Sequence, residues 1–97
     1  MKLWDEIQTK KPAIAAIANR YGVSKFKAFG SLVRLEDGDN SDVDLLVYWS
    51  NPEWDLIDLI SVRHDLENLF GRKVDLLTEN SLNKHIRQTI IATSIDI

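Results

Sequence analysis

A run of acidic and branched apolar residues at positions 42–47, with the sequence DVDLLV, constrains the fold of this chain more than any other feature. Side chains along a β-strand point alternately to opposite faces of the sheet. Asp42 and Asp44 therefore share one face of the strand. The opposite face carries the branched residues Val43, Leu45 and Val47. We predict a strand over residues 43–49 with one face buried and two carboxylates on the opposite face.

A Gly-Ser pair lies upstream of these aspartates, directly after a short alternating run at residues 26–29 that we predict to be a strand. Gly30 lets the backbone approach a bound group closely, and Ser31 offers a hydroxyl and the N–H groups of a turn to phosphate. Arg34, about one turn further along, is placed to pair with a phosphate oxygen or with an aspartate. A phosphate-binding turn beside paired carboxylates is the minimum set of groups that a protein needs to bind a nucleoside triphosphate.

A third aspartate, Asp75, lies in the sequence VDLL at residues 74–77, which we predict to be another strand. Its side chain points away from the face shared by its apolar neighbours. If both strands bury their branched faces against the same helices, Asp75 projects on the same side as Asp42 and Asp44. Three carboxylates brought close together repel each other unless a cation joins them. Mg²⁺, a hard cation that takes oxygen ligands and substrate phosphates, is the predicted cofactor.

Composition excludes several classes of protein. The 97 residues predict a single domain over residues 1–97. The absence of cysteine excludes disulfides, thiolate metal sites and a cysteine nucleophile, and it fits a cytoplasmic protein. A net charge of −3 makes direct DNA binding unexpected, because sequence-independent binding to nucleic acid needs a basic face. No apolar run approaches the ~20 residues of a membrane span, so no membrane association is expected.

Hydrophobic periodicity and turn residues divide the chain into helices and strands. The predicted helices cover residues 2–9, 12–21, 32–36, 56–70 and 82–92, and the predicted strands cover residues 26–29, 43–49 and 74–77. Residues 37–41 are predicted to form a turn. This order predicts an α/β (α+β) fold in which helices pack on one face of a small mixed β-sheet.

Three further expectations concern packing. In the helix over residues 56–70, one buried stripe is expected to comprise Leu56, Leu59, Ile60, Val62, Leu66, Leu69 and Phe70. The apolar tail, residues 90–97, is expected to fold back onto its own domain rather than dock on a partner. Trp49 and Trp54 flank a turn and are expected to pack together with the helix and sheet rather than to bind a nucleobase.

The segment FGS at residues 29–31, Arg34 and the segment SDVDLLV at residues 41–47 resemble the signature of the polymerase-beta-type nucleotidyltransferase superfamily. The resemblance extends along nearly the whole chain and is to the minimal nucleotidyltransferase (MNT) group. It implies a polymerase-beta-like fold. The resemblance implies that catalysis and metal binding are carried out by Asp42, Asp44 and Asp75. It also implies that the triphosphate of ATP is bound by Gly30, Ser31 and Arg34. Val33 and Leu35 flank this arginine, where the family has small residues.

The resemblance also implies a biological role. Members of the MNT group commonly act as antitoxins beside a HEPN-domain ribonuclease toxin, and they transfer AMP from ATP to a tyrosine of that toxin, which inactivates it. A protein acceptor, and hence a hetero-oligomer, is also expected from size, because 97 residues leave no second domain to recognise an acceptor. Two alternatives remain: an antitoxin of this fold that binds its toxin without turnover, and a nucleotidyltransferase that acts on a small molecule or an RNA end.

Overall fold

The computed structural model describes residues 3–30 and 42–97, which form a four-stranded mixed sheet with helices packed against it. The helices are α1 (Leu3–Thr9), α2 (Lys11–Tyr21), α3 (Leu56–Phe70) and α4 (Lys84–Thr93), and a short 3₁₀ turn covers Glu79–Ser81. The strands are β1 (Val23–Phe29), β2 (Val43–Trp49), β3 (Val74–Leu77) and β4 (Ile95–Asp96). Their order across the sheet is β3-β2-β1-β4. β2 is parallel to β3 and antiparallel to β1, which is also antiparallel to β4, so the predicted fold class is confirmed.

The main core lies between the sheet and the first three helices. α2 packs on β1, and α3 packs on α2 and β3. The central strand contributes Val43, Leu45 and Val47, which are at most 2% exposed, and α3 contributes Leu66 at 0% exposure. Leu46, on the opposite face of the central strand, is also 0% exposed and lies outside this cluster. The central strand is therefore held firmly at the position where the aspartate pair begins.

Side-chain and glycine caps fix both ends of α3. Oδ1 of Asp55 accepts a hydrogen bond from the N–H of Asp58 at 2.9 Å, and Oδ2 of Asp58 accepts one from the N–H of Asp55 at 3.0 Å. This reciprocal pair is a capping box. At the other end, Gly71 has a φ of +66°, and its N–H donates to the carbonyl of Glu67 at 2.8 Å. The predicted bounds of this helix, residues 56–70, are confirmed.

The expected buried stripe of α3 is wrong at two positions. Val62, Leu66 and Phe70 are buried, whereas Leu56 is 65% exposed and Ile60 is 46% exposed. A helix turns by roughly 100° per residue, so Leu56 and Ile60 lie roughly 80–120° around the axis from Leu66. The buried face of α3 is formed by Val62, Leu66 and Phe70, which are spaced four residues apart. This face is narrower than the one that the apolar pattern predicted.

β1 begins at Val23, three residues earlier than predicted. Its register with β2 shifts between Val23 and Lys25, so a β-bulge interrupts the strand there. Val23 is buried and the next two residues are exposed, which breaks the period of two. The hydroxyl of Ser24 donates to the carbonyl of Tyr48 at 2.9 Å and ties the bulge to the neighbouring strand. The bulge explains why alternation identified only residues 26–29.

The C-terminal tail folds back onto the sheet, as expected, but as a strand that was not predicted. Ile95 pairs with Ala28, and Asp96 pairs with Lys27. The N–H of Ile97 donates to the carbonyl of Phe26 at 3.2 Å, and the side chain of Ile97 packs against the core. A strand of two residues is too short to show a periodic pattern, and only its pairing with β1 identifies it.

The remaining boundaries differ from prediction by small amounts. α4 begins at Lys84 rather than at residue 82, because Oδ1 of Asn83 accepts from the N–H of His85 at 2.8 Å and caps the helix. The predicted helix over residues 32–36 and the predicted turn over residues 37–41 lie outside the described residues. Among the helices in the described part of the chain, none is long and apolar enough to cross a membrane.

Candidate active site

The parallel register of β2 and β3 places Asp44 directly beside Asp75. The residues on either side of Asp44 are 0% exposed, and those on either side of Asp75 are at most 6% exposed. Both aspartates therefore point away from the main core. Neighbouring strands lie roughly 4.8 Å apart, which puts the two carboxylates within reach of one bound ion. Asp44 is half-buried, and the side chain of Asp75 is 44% exposed.

The starts of the two parallel strands carry the other charged groups of the site. Asp42 immediately precedes β2 and is exposed. The N–H of Val43 donates to the carbonyl of Lys73 at 2.9 Å, which joins the two strand starts. The ammonium of Lys73 lies 4.0 Å from Oδ1 of Asp75. This exposed pair offsets part of the negative charge at this end of the sheet, although such surface pairs contribute little to stability.

Gly30 lies at the same end of the sheet, because Phe29, the last residue of β1, pairs with Asp44. Its φ is +74°, a conformation that glycine adopts without strain. A Cβ atom at this position would overlap Oδ2 of Asp44 and would lie 3.0 Å from Cγ of the same residue. The Asp44 carboxylate therefore lies against the backbone of Gly30. Ser31 and Arg34, the other two residues predicted to bind triphosphate, lie outside the described residues.

The candidate ligands suit a magnesium ion in their chemistry, since Asp42, Asp44 and Asp75 all offer hard carboxylate oxygens at one end of the sheet. Within residues 3–30 and 42–97, no three side chains of histidine, cysteine, aspartate or glutamate are gathered closely enough to hold a metal ion. Carboxylates of equal charge repel each other, and that of Asp44 is turned against Gly30. The backbone thus brings the three candidate donors to one end of the sheet.

Both tyrosines of the chain are hydrogen-bonded to carboxylates. Tyr48 lies on the same face of β2 as Asp44, and its hydroxyl donates to Oε1 of Glu79. Burial, followed by the hydrogen bond to Glu79, raises the pKa of Tyr48 well above its ordinary value. Tyr21 on α2 donates to Oδ2 of Asp65 at 2.8 Å, and this hydrogen bond raises the pKa of Tyr21. Both phenols are therefore held in the neutral form.

We expect the tyrosine titration midpoints of the native chain to lie above pH 10.0, the ordinary pKa of tyrosine, and those of the denatured chain to lie near that value. Because the folded pKa values are raised, the free energy of unfolding falls as the pH rises above the unfolded pKa. Glu79→Gln should lower the titration midpoint of Tyr48, whereas Glu53→Gln, at an exposed acid elsewhere, should not change it. Native and denatured midpoints that coincide would contradict this expectation.

Two aromatic side chains that flank the turn after β2 stack on each other. The ring centroids of Trp49 and Trp54 lie 4.9 Å apart, with 5° between the ring planes. Trp49 also packs against the core. The stack attaches the segment before α3 to the end of the central strand. The two histidines, His64 and His85, are exposed on α3 and α4.

Comparison with known proteins identifies the family to which this site belongs. The sequence matches the family described as polymerase beta, nucleotidyltransferase over residues 12–97. The chain belongs to this nucleotidyltransferase family. The matched range runs from α2 to the last residue and so includes all of the candidate site residues that the structure describes, which are Gly30, Asp42, Asp44 and Asp75.

Curated relatives of this nucleotidyltransferase carry names of protein-modifying enzymes. "Putative protein adenylyltransferase MJ0435" of Methanocaldococcus jannaschii is 33% identical over 87 residues, which are 90% of this chain and 92% of the relative. "Protein adenylyltransferase MntA" of Thermococcus cleftensis is 37% identical over 75 residues, which are 77% of this chain and 75% of the relative.

Solved structures agree on the fold. A structure described as a "putative minimal nucleotidyltransferase" has a TM-score of 0.84 at 29% identity and covers 100% of this chain and 97% of its own. The complex of a "tri-AMPylated Shewanella oneidensis HEPN toxin" with an MNT antitoxin contains a chain with a TM-score of 0.65 at 18% identity, covering 92% of this chain and 69% of that one. The second likeness shows the fold alone. The chain is thus a minimal nucleotidyltransferase, as its motifs predicted.

Proposed function

We propose that this nucleotidyltransferase is an antitoxin that transfers AMP from ATP to a tyrosine hydroxyl of a HEPN-domain ribonuclease toxin and so inactivates it. The observation that carries the proposal is the parallel register that places Asp44 beside Asp75 on the face away from the main core. Asp42 stands two residues before Asp44, at the end of the sheet where Gly30 also lies.

In the proposed reaction the oxygen of the acceptor hydroxyl attacks the α-phosphorus of ATP and forms a new phosphorus–oxygen bond. The bond from the α-phosphorus to the oxygen that bridges to the β-phosphate breaks, and pyrophosphate leaves with that oxygen and the bonding electron pair. The proton of the acceptor hydroxyl passes to the carboxylate of Asp75, whose side chain is 44% exposed and so open to an incoming acceptor.

Asp42, Asp44 and Asp75 are the residues that would hold Mg²⁺, with Asp42 and Asp44 as the principal ligands. When bound, this ion supplies positive charge beside the phosphate and acceptor oxygens. Asp44 lies against the backbone of Gly30 and between two fully buried neighbours, so its position is fixed by the sheet. Gly30 follows β1 at the same end of the sheet and is proposed, together with Ser31, to bind the triphosphate.

The openness of the site supports a macromolecular acceptor. Asp42 is exposed and the side chain of Asp75 is 44% exposed, so a partner that covers this end of the sheet would be needed to exclude water. The names of the relatives point to protein acceptors, and the Shewanella complex joins an MNT antitoxin to an AMPylated HEPN toxin. A hetero-oligomer with a HEPN-domain protein is therefore the proposed working state.

Intact-mass measurement of both proteins tests this proposal. The chain is co-expressed with a HEPN-domain toxin, and the purified complex is incubated with ATP and Mg²⁺. We expect the toxin to gain one or more AMP units and to lose ribonuclease activity, with no mass change in the Asp42→Asn/Asp44→Asn variant. That variant shows whether transfer depends on the aspartates, since it preserves the shape of both side chains.

Other outcomes identify the two alternatives. A stable complex that suppresses the ribonuclease without any mass change would mean that the antitoxin acts by contact alone. AMP found on an RNA end or on a small molecule, and not on the toxin, would mean that the enzyme has a different acceptor. Either result would contradict the proposed function.

A further inference from the structure

Two glycines with nearly the same backbone conformation differ in what surrounds them. Gly30 has a φ of +74° and Gly71 has a φ of +66°. A Cβ atom added at Gly71 meets nothing within 4 Å. A Cβ atom added at Gly30 would overlap Oδ2 of Asp44 and would lie 3.0 Å from its Cγ and 3.2 Å from its Cβ. The backbone conformation favours glycine at both positions, but only Gly30 also borders a side chain that needs the space.

The sheet prevents Asp44 from moving away as a whole. Phe29, the residue before Gly30, is the register partner of Asp44 in the β1–β2 pair. Val43 and Leu45, on either side of Asp44, are 0% exposed in the core. Because interiors are closely packed, a shift of this strand would disturb the core. A side chain at position 30 would therefore force the Asp44 side chain into another rotamer.

We propose that Gly30 is a positioning residue for Asp44. The missing side chain at position 30 leaves the space that the Asp44 carboxylate fills, and this fixes the direction of the carboxylate at the end of the sheet that carries Asp75. The role is separate from binding of triphosphate by the Gly-Ser turn, because it acts before any nucleotide is present. It rests on the proposed function only where metal binding is concerned.

Thermal unfolding in EDTA tests the contact without reference to activity. The variants are Gly30→Ala, Gly71→Ala, Asp44→Ala and the double variant Gly30→Ala/Asp44→Ala. Gly71→Ala measures the loss of stability from placing alanine in a left-handed backbone conformation without any steric overlap. We expect this variant to lower Tm by about 4–8 °C. We expect Gly30→Ala to lower Tm by about 10 °C or more, and most of the excess to vanish in the Asp44→Ala background.

The outcomes of this comparison are distinct. If Gly30→Ala fails to fold and the double variant folds, the contact with Asp44 is supported in the same way. Gly30→Ala could lower Tm by the same amount whether position 44 is aspartate or alanine, or neither variant with alanine at position 30 could fold. In either case the contact with Asp44 does not explain the need for glycine, and the proposal is overturned.

Binding of Mn²⁺, a paramagnetic substitute for Mg²⁺ that also takes oxygen ligands, tests the consequence for the site. Free Mn²⁺ is measured by electron paramagnetic resonance during titration of each folded variant. We expect Gly71→Ala to bind with the wild-type Kd and Gly30→Ala to bind about tenfold more weakly or worse. Asp44→Ala serves as the reference for complete loss of this ligand.

Failure of the inference and failure of the proposed function give different results. Wild-type affinity in the Gly30→Ala variant, together with a loss in Asp44→Ala, would overturn the positioning role and leave the metal site intact. No binding of Mn²⁺ by the wild-type chain would instead contradict the proposed metal site, while the thermal comparison would still decide whether Gly30 positions Asp44.

Discussion

Replacing Asp44 with asparagine is expected to lower the rate of adenylyl transfer about a thousandfold. Asparagine keeps the shape of the side chain against Gly30 but removes the charge that would hold a divalent cation. A thousandfold loss corresponds to about 4 kcal/mol of transition-state stabilisation, which is the size expected when one of a few charged metal ligands is removed. The rate is measured as AMP units gained by the toxin per unit time at saturating ATP and Mg²⁺.

A matched control separates this local effect from a change in overall charge. Asp5→Asn makes the same change at an exposed position on α1 and is expected to leave the rate unchanged. Circular dichroism of both variants shows whether each is folded. A folded Asp44→Asn variant with a rate within about tenfold of the wild type would mean that Asp44 is not a principal ligand.

Replacing Leu66 with alanine is expected to lower the free energy of unfolding by about 2–5 kcal/mol. Leu66 is 0% exposed in the core between α3 and the sheet, so its removal leaves a cavity as well as losing apolar burial. A chain of this size has a total stability of roughly 5–15 kcal/mol, so this one change removes a large share of it. Urea unfolding followed by far-ultraviolet circular dichroism measures the difference.

The same helix supplies the control for this prediction. Leu56→Ala makes the same substitution at a position that is 65% exposed, and we expect a loss below about 0.5 kcal/mol. Similar losses at Leu56 and Leu66 would show that the exposed leucine is covered in solution, and would contradict the surface described for α3.

The position of Asp44 and Asp75 on the same face of the sheet could be anticipated because two simple patterns agree. In β2 and in β3 the apolar residues alternate with the acids, and both strands bury their apolar side against the same cluster. Asp44 and Asp75 must then share the other face. Their direct pairing could not be anticipated, since a parallel register depends on contacts between residues far apart in sequence, such as the hydrogen bond from Val43 to the carbonyl of Lys73.

Features that depend on contacts between residues far apart in sequence were not visible in the sequence. The bulge near Ser24 breaks the period of two, and β4 consists of two residues identified only by pairing with β1. The contact between Gly30 and the Asp44 carboxylate depends on strand pairing and on one rotamer. By contrast, the ends of α3 follow from cap residues that act on their immediate neighbours, and they were predicted correctly.

The position of a radioactive label in ATP shows whether the group transferred to the toxin is AMP. A complex of this chain with a HEPN-domain toxin, the proposed partner, is incubated with Mg²⁺ and ATP labelled at the α-phosphate, and a parallel sample receives ATP labelled at the γ-phosphate. We expect the toxin to acquire the α-label and none of the γ-label, and we expect Asp44→Asn to remove the signal. Transfer of the γ-label, or no transfer of either label with a toxin that is nevertheless inhibited, would contradict adenylyl transfer at this site.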